Sequence, residues 1–337
     1  MIALLRRAAF LVVLVLVAAA CGDDAPGPDA SASDSDSTAS ATGDPSQEAS
    51  YPVVIEHAMG STTVEERPER IVSLNVQWTD AVLVMGMQPV AYVLDQASLE
   101  TEPYPWHVDK VAGSQRIDTT GTIPFEQIAA LQPDLILLTY LPEERQTFDT
   151  LDEIAPTIGL LGELQVDPWQ DQVEVMGRVL GEPERAEQVI GDVEGQVEAL
   201  ARDLPGLGGK TYVAANYVPG DGIHVVADPD DGSSRLFYEL GMEIAPDIVA
   251  LDQQAVGRVE ISMEQVGLLD ADFVGILAHD ADPSELPGWD QLTAVQTGAV
   301  IDFEFADVVG INTPTPLSLP YVIDLIRPAL EAVASAG

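Results

Sequence analysis

The sequence predicts an α/β fold in two lobes, each carrying a mainly parallel sheet. Three observations carry this. The chain has 337 residues, more than one hydrophobic core usually accommodates. From Tyr51 onward, short β-branched or aliphatic runs alternate with amphipathic segments, as successive βα units require. A helix-to-strand pattern also occurs twice at an offset of 138 residues, as FEQIAALQPDLIL from Phe125 and MEQVGLLDADFVG from Met263.

Residues 1–20 read as a secretory signal: Arg6 and Arg7 are the positive segment, Ala8 to Val17 the apolar one, and Ala18, Ala19 and Ala20 the small residues before a cut. The apolar run is shorter than the about 20 residues of a membrane span. Cys21 follows directly and is the only cysteine, which excludes a disulfide framework and a Cys-based zinc site. Val-Ala-Ala-Ala-Cys21 resembles the lipobox of bacterial lipoproteins, whose Cys is lipidated and becomes the new N-terminus. That family usually has Leu three positions before the Cys, where this chain has Ala18. A plain signal peptide followed by a free Cys is the other reading. Residues 22–50 contain no Val, Ile, Leu, Met or aromatic residue and cannot bury enough apolar area to offset their ordering entropy. They are expected to form a disordered tether reaching roughly 30 Å on average.

Residues 51–182 supply the first lobe, with strands expected at 71–74, 90–94, 135–140 and 157–161 and helices at 79–85, 125–131, 145–154 and 169–180. Residues 204–337 supply the second, with strands at 212–218, 223–227, 273–278 and 300–305 and helices at 234–240, 263–269, 290–295 and 317–335. Between them, 183–203 predicts one long helix. Pro183 sits where a first turn tolerates it, Ala186, Val189, Ile190, Val193, Val197 and Leu200 form an apolar stripe, and Pro205-Gly206 stops it. On spacing alone this helix either joins the lobes or packs on one of them.

Charge and composition narrow the function. Fourteen Lys and Arg against 56 Asp and Glu give a net charge of −42, which excludes nucleic-acid binding through a basic surface. The four His are dispersed, so a His-and-carboxylate metal centre is not expected, nor any resident cofactor. Ser233 lacks a Gly-x-Ser-x-Gly turn, which argues against a hydrolase, and no Gly-x-Gly-x-x-Gly follows the first strand.

The stretches Arg67-Pro-Glu-Arg-Ile-Val-Ser-Leu-Asn75, Thr79 to Gly86, Ile123 to Leu137, Leu151-Asp-Glu-Ile-Ala-Pro-Thr157 and Ser262-Met-Glu264 resemble bacterial ABC-transporter substrate-binding proteins of the iron-siderophore and cobalamin type. The likeness covers almost all of 51–336, and Glu-x-x-x-x-Leu-x-Pro-Asp-Leu-Ile is its most specific block. It implies two Rossmann-like lobes with mainly parallel sheets, joined by one long rigid α-helix, and a ligand held in the cleft. It implies a monomeric, non-enzymatic lipoprotein at the extracytoplasmic face of the membrane, which delivers a ferric siderophore to an ABC permease dimer with its ATPase. Haem or cobalamin binding by the same fold, or a non-transport surface lipoprotein, are the alternatives. Glu126 and Glu264 take the family's permease-docking positions, although a carboxylate in a first helical turn also suits the helix dipole.

The resemblance places Trp78, Arg116, Tyr140 and Arg258 in the cleft, with a core position the other reading for Trp78, and Tyr217 ends a strand in the same way. Aromatic faces suit an amphipathic ligand, and Arg suits iron-bearing oxygens. Siderophore iron is already fully coordinated, so no protein metal ligand is expected. Arg235 is expected to pair with the acidic run Asp228 to Asp231, Trp106 to lie in a loop before Arg116, and Phe303, Phe305 and Asp307 to end the last strand at a third side of the cleft, with a place in the core the other reading for the two Phe residues. The acidic chain favours a neutral or cationic hydroxamate complex over an anionic catecholate.

Overall fold

In the computed structural model, which describes residues 51–94, 103–119, 123–139, 144–162, 166–254, 256–279 and 281–336, the chain opens on a hairpin of β1 (Val53–His57) and β2 (Gly60–Val64). The signal segment, Cys21, the tether and Tyr140 lie outside the described residues. The first lobe then adds β3 (Ile71–Ser73), α1 (Val76–Val84), β4 (Ala91–Val93), β5 (Gln115–Ile117), α2 (Phe125–Ala130), β6 (Leu135–Leu137), α3 (Glu144–Asp152), β7 (Thr157–Ile158) and α4 (Trp169–Leu180). Its sheet is parallel throughout, in the order β5-β4-β3-β6-β7. β3 and β6 are buried at every residue, which is why Ile71-Val72 and Leu135-Ile136-Leu137 read as aliphatic runs without polar alternation.

Two punctuation residues set the helices beside this sheet. The Asn75 side chain accepts from the amides of Gln77 at 2.8 Å and Trp78 at 3.4 Å, so α1 begins three residues earlier than periodicity predicts. Gly181, at φ 71°, ends α4 and lets α5 (Pro183–Asp203) turn back along it. A Cβ on Gly177 would lie 2.5 Å from the Ala186 Cβ, so these two helices touch where only glycine fits. Ala186, Val193, Val197 and Leu200 are the buried stripe of α5, which spans about 30 Å.

The second lobe runs β8 (Thr211–Val218), β9 (Gly222–Val226), α6 (Arg235–Glu239), β10 (Glu243–Ile244), α7 (Pro246–Leu251), β11 (Arg258–Ile261), β12 (Phe273–Leu277), α8 (Thr293–Thr297), β13 (Val300–Asp302), α9 (Phe305–Asn312) and α10 (Ser318–Ser335). Its sheet has the order β11-β9-β8-β12-β13, the counterpart of the first, except that β9 runs antiparallel to both neighbours. The 138-residue repeat falls on equivalent places: β5-α2-β6 in one lobe, and β11, a 3-10 helix at Met263–Leu269 and β12 in the other. Among the described residues, no helix is long and apolar enough to cross a membrane.

Residues 305–319 bring the second lobe against the first. Val309 of α9 belongs to a buried cluster with Val76, Tyr92, Leu94, Tyr104 and Trp106, and Leu319 of α10 joins the first lobe's core. Asp80, fully buried on α1, pairs with His107 Nε2 through one oxygen and accepts the Thr315 hydroxyl through the other. Gln77 Nε2 donates to the carbonyls of Asp167 and Pro314, both at 3.3 Å.

Several expectations change here. The strand expected at 300–305 stops at Asp302, because Glu304 and Asp307 form a reciprocal cap that starts α9. Asp307 is therefore a buried helix residue; it accepts from the Tyr321 hydroxyl at 2.6 Å, and burial together with that carboxylate pushes the Tyr321 pKa up. Phe303 packs over Gly275 in the core, and Phe305 is half-buried between the clusters. Trp106 is buried, stacked on Tyr104 at 4.9 Å.

Candidate functional site

A cavity of about 990 Å³ lies between the lobes. From the first lobe it receives 166–169, the segment that follows β7 and opens α4. From the second it receives 229–232, α6, the start of β11 and 312–314. Residues just past the carboxyl ends of parallel strands are where open α/β sheets expose their ligand-facing groups.

Asp167 fixes the first wall. Its carboxylate accepts from the amides of Leu161 at 2.8 Å and Gly162 at 3.0 Å, which pins the turn leaving β7. Burial pushes its pKa up, and the two amides offset part of that rise. Pro168 follows, and Trp169 begins α4 with its ring almost wholly buried in the cavity wall. On the second wall, Asp231 accepts from the Ser233 amide at 3.0 Å and from Arg258 Nη2 at 2.9 Å. Arg235 pairs with Glu239 at 3.2 Å, one turn along α6, and not with the acidic run before it, because the first turn of α6 points it along its own helix. Four carboxylates (Asp167, Asp230, Asp231 and Glu239) thus line this cavity with two guanidiniums, each already held by a carboxylate.

The structure sorts the residues expected in the cleft. Arg258 lines the cavity. Trp78 does not face it: starting α1 at Val76 turns this side chain inward, where it is fully buried and its Nε1 donates to the Leu138 carbonyl at 3.0 Å. Tyr217 is also core, with its hydroxyl on Met263 Sδ at 3.5 Å. Arg116 stands exposed on the edge strand β5, opposite Tyr92, away from this cavity. Glu126 and Glu264 are both exposed, each in the first turn of the helix after the edge strand of its own lobe.

Sequence reasoning missed Asp167, Trp169 and Asp231 as residues of the cavity wall. Asp167 lies between a predicted strand end and a predicted helix start and Trp169 opens that helix, positions that could have identified them. Among the described residues, no group of three His, Cys, Asp or Glu side chains could hold a metal ion.

Comparison with known proteins agrees with the two-lobed fold. The profile of a family described as periplasmic binding protein matches residues 71–306. The chain is 26% identical over 289 residues to the probable siderophore-binding lipoprotein YfiY of Bacillus subtilis (strain 168), covering 81% of this chain and 86% of YfiY. It is also 26% identical to the Fe(3+)-citrate-binding protein YfmC of the same organism, covering 77% and 81%. A periplasmic solute binding protein from Mycobacterium smegmatis str. MC2 155 superposes with a TM-score of 0.71 at 26% identity, covering 84% of this chain and 99% of that one.

Asp231 offers a direct check on the wall. Burial raises its pKa, but hydrogen bonds from Ser233 and the Arg258 guanidinium outweigh burial and hold it below the ordinary 3.8. Folding lowers this pKa, so the contribution to stability is present above 3.8 and is lost as the pH falls through the folded value. Arg258→Ala should raise the Asp231 midpoint in a carboxyl NMR titration. At neutral pH it should cost less than about 1 kcal/mol, since half of the guanidinium is in solvent, and the two proteins should converge in acid. An unmoved midpoint would assign the shift to Ser233 alone.

Proposed function

The chain belongs to the periplasmic binding protein family, and on that premise we propose that it captures a ferric siderophore between its lobes and delivers it to an ABC permease. The observation that carries the proposal is the inter-lobe cavity of about 990 Å³ in a chain whose relative YfiY is named siderophore-binding. That volume lies at the upper end of the about 300–1,000 Å³ of ordinary ligand pockets, as a bulky, rigid complex needs. Trp169 gives the cavity an apolar face, while Arg258 and Arg235 give it donors for iron-bound oxygens. The activity is binding and handover, with no reaction catalysed.

The charge balance of the wall favours the hydroxamate class. With two carboxylates for every guanidinium, an anionic ferric complex such as ferric citrate meets net repulsion. A trihydroxamate complex is neutral at the metal and meets none. Capture at the extracytoplasmic membrane face, with Cys21 lipidated and 22–50 as its tether, puts the site where the permease is. Glu126 and Glu264, exposed at equivalent points of the two lobes, are matched to a permease dimer with one basic site per subunit.

Titrating the full chain with a ferric trihydroxamate, a ferric catecholate, ferric citrate, haem and cobalamin tests the ligand class. The trihydroxamate should quench Trp fluorescence and the Trp169→Phe variant should lose most of that signal. A response confined to haem or cobalamin would falsify the siderophore reading. Docking is separable: Glu126→Ala/Glu264→Ala should keep ligand affinity and abolish uptake, and undiminished uptake would return both residues to a helix-end role.

A further inference from the structure

We propose that Gln77, which stands behind the inter-lobe cavity, sets the gap between its two walls and so selects the bulk of the complex that fits; this rests on the siderophore reading above. Gln77 is a positioning residue: it is buried in the first turn of α1 and is not among the residues lining the cavity. Its Nε2 donates to the Asp167 carbonyl of the first wall and to the Pro314 carbonyl of the second, both at 3.3 Å. Asp167 and Pro314 themselves line the cavity. A carbonyl only accepts, so the nitrogen end of the amide faces both walls, and its two N–H groups match two acceptors.

Each acceptor is itself held. The Asp167 carboxylate takes the Leu161 and Gly162 amides, so this residue cannot swing without releasing the turn after β7. Pro314 is followed by Thr315, whose Oγ1 accepts the amides of Leu317 at 3.2 Å and Ser318 at 2.8 Å while its hydroxyl donates to Asp80. Gln77 and Asp80 are three positions apart on α1 and share one face of it. One helix face of the first lobe thus holds two consecutive residues of the second, Pro314 and Thr315, and the same Gln77 amide holds the first lobe's own wall.

Without the amide, two buried carbonyls lose this donor, and a buried acceptor normally finds another. The walls supply one by parting far enough to admit water. The Asp80 contact and α5 keep the lobes together, so the gap changes and the assembly of the lobes does not. Walls that can part accept a bulkier complex.

This role differs measurably from a merely structural one. A variant that only folds less well lowers every ligand's affinity by the same factor, because only the competent fraction falls. A changed gap alters the ratio between two ligands of different bulk.

Ferrioxamine E and coprogen, two uncharged ferric trihydroxamates of which coprogen is the bulkier, make the test. Both are titrated into the full chain and into its Gln77→Met variant, which keeps the side chain's length and removes both donors. The ratio of the Kd for coprogen to the Kd for ferrioxamine E should fall about tenfold from wild type to variant. Gln77→Glu keeps the shape, donates to one carbonyl at most and should fall between the two. A carboxyl in the first turn of α1 also suits the helix dipole, so this variant carries the test if thermal unfolding shows that Gln77→Met does not fold. A ratio that rises, or that stays within about threefold of wild type even with both affinities lowered, overturns the gap-setting role and leaves siderophore capture standing. If the wild type binds neither complex, the hydroxamate reading fails and the gap-setting role fails with it.

Discussion

Asp80 is fully buried on α1, and its two oxygens look toward different lobes: one meets His107 of its own lobe, the other the Thr315 hydroxyl of the second. A carboxylate stripped of water costs several kcal/mol unless hydrogen bonds replace its hydration. The first lobe therefore cannot satisfy this group alone; the segment between α9 and α10 must be seated. Thr315 couples the seat to α10, because its Oγ1 also accepts the Ser318 amide at 2.8 Å while the Ser318 hydroxyl returns to the Thr315 amide at 3.0 Å. Around this polar centre, Val309, Trp106 and Tyr104 exclude solvent. An arrangement so dependent on every partner specifies geometry more than it adds stability.

The consequence for function is a cleft built before ligand arrives. The lobes are joined twice, by the continuous helix α5 and by the 305–319 contact. Neither is a strand pair that can pivot on a few dihedrals. The cavity walls are fixed locally too. Asp167 pins the turn after β7, Gln77 bridges Asp167 and Pro314, and Arg258 holds Asp231. A preformed site of this kind loses less conformational entropy on binding, and it suits a ligand that is itself rigid.

What the sequence made legible follows from which physical signals are local. The bounds of α4 and α5 are readable because Pro183 and Gly181 punctuate a continuous apolar stripe, and the 138-residue repeat marks equivalent βα units because each must bury a strand behind a helix. The edge strands β5 and β11 escape notice since Gln115-Arg-Ile and Arg258-Val-Glu-Ile carry too few apolar residues to read as strands. Trp78 is misplaced by sequence because its orientation depends on a helix start set by the Asn75 cap, a difference of three residues. The Asp80, His107 and Thr315 link is invisible in sequence, as its members are 27 and 235 positions apart. Arg258 is legible as a cleft residue only through family resemblance, whereas its partner Asp231 follows from neither periodicity nor motif.

The central claim is that the two lobes keep one fixed separation, and a distance measured across them tests it most directly. Spin labels at the exposed positions Asp149 on α3 and Gln296 on α8, in a Cys21→Ser background, report that distance by double electron–electron resonance. Addition of a ferric trihydroxamate should leave the main peak within about 3 Å of its unliganded position, as for preorganised binding. A shift of about 10 Å or more, or two resolved populations before ligand is added, would mean that the lobes close by hinge motion and that the buried Asp80 link does not hold them.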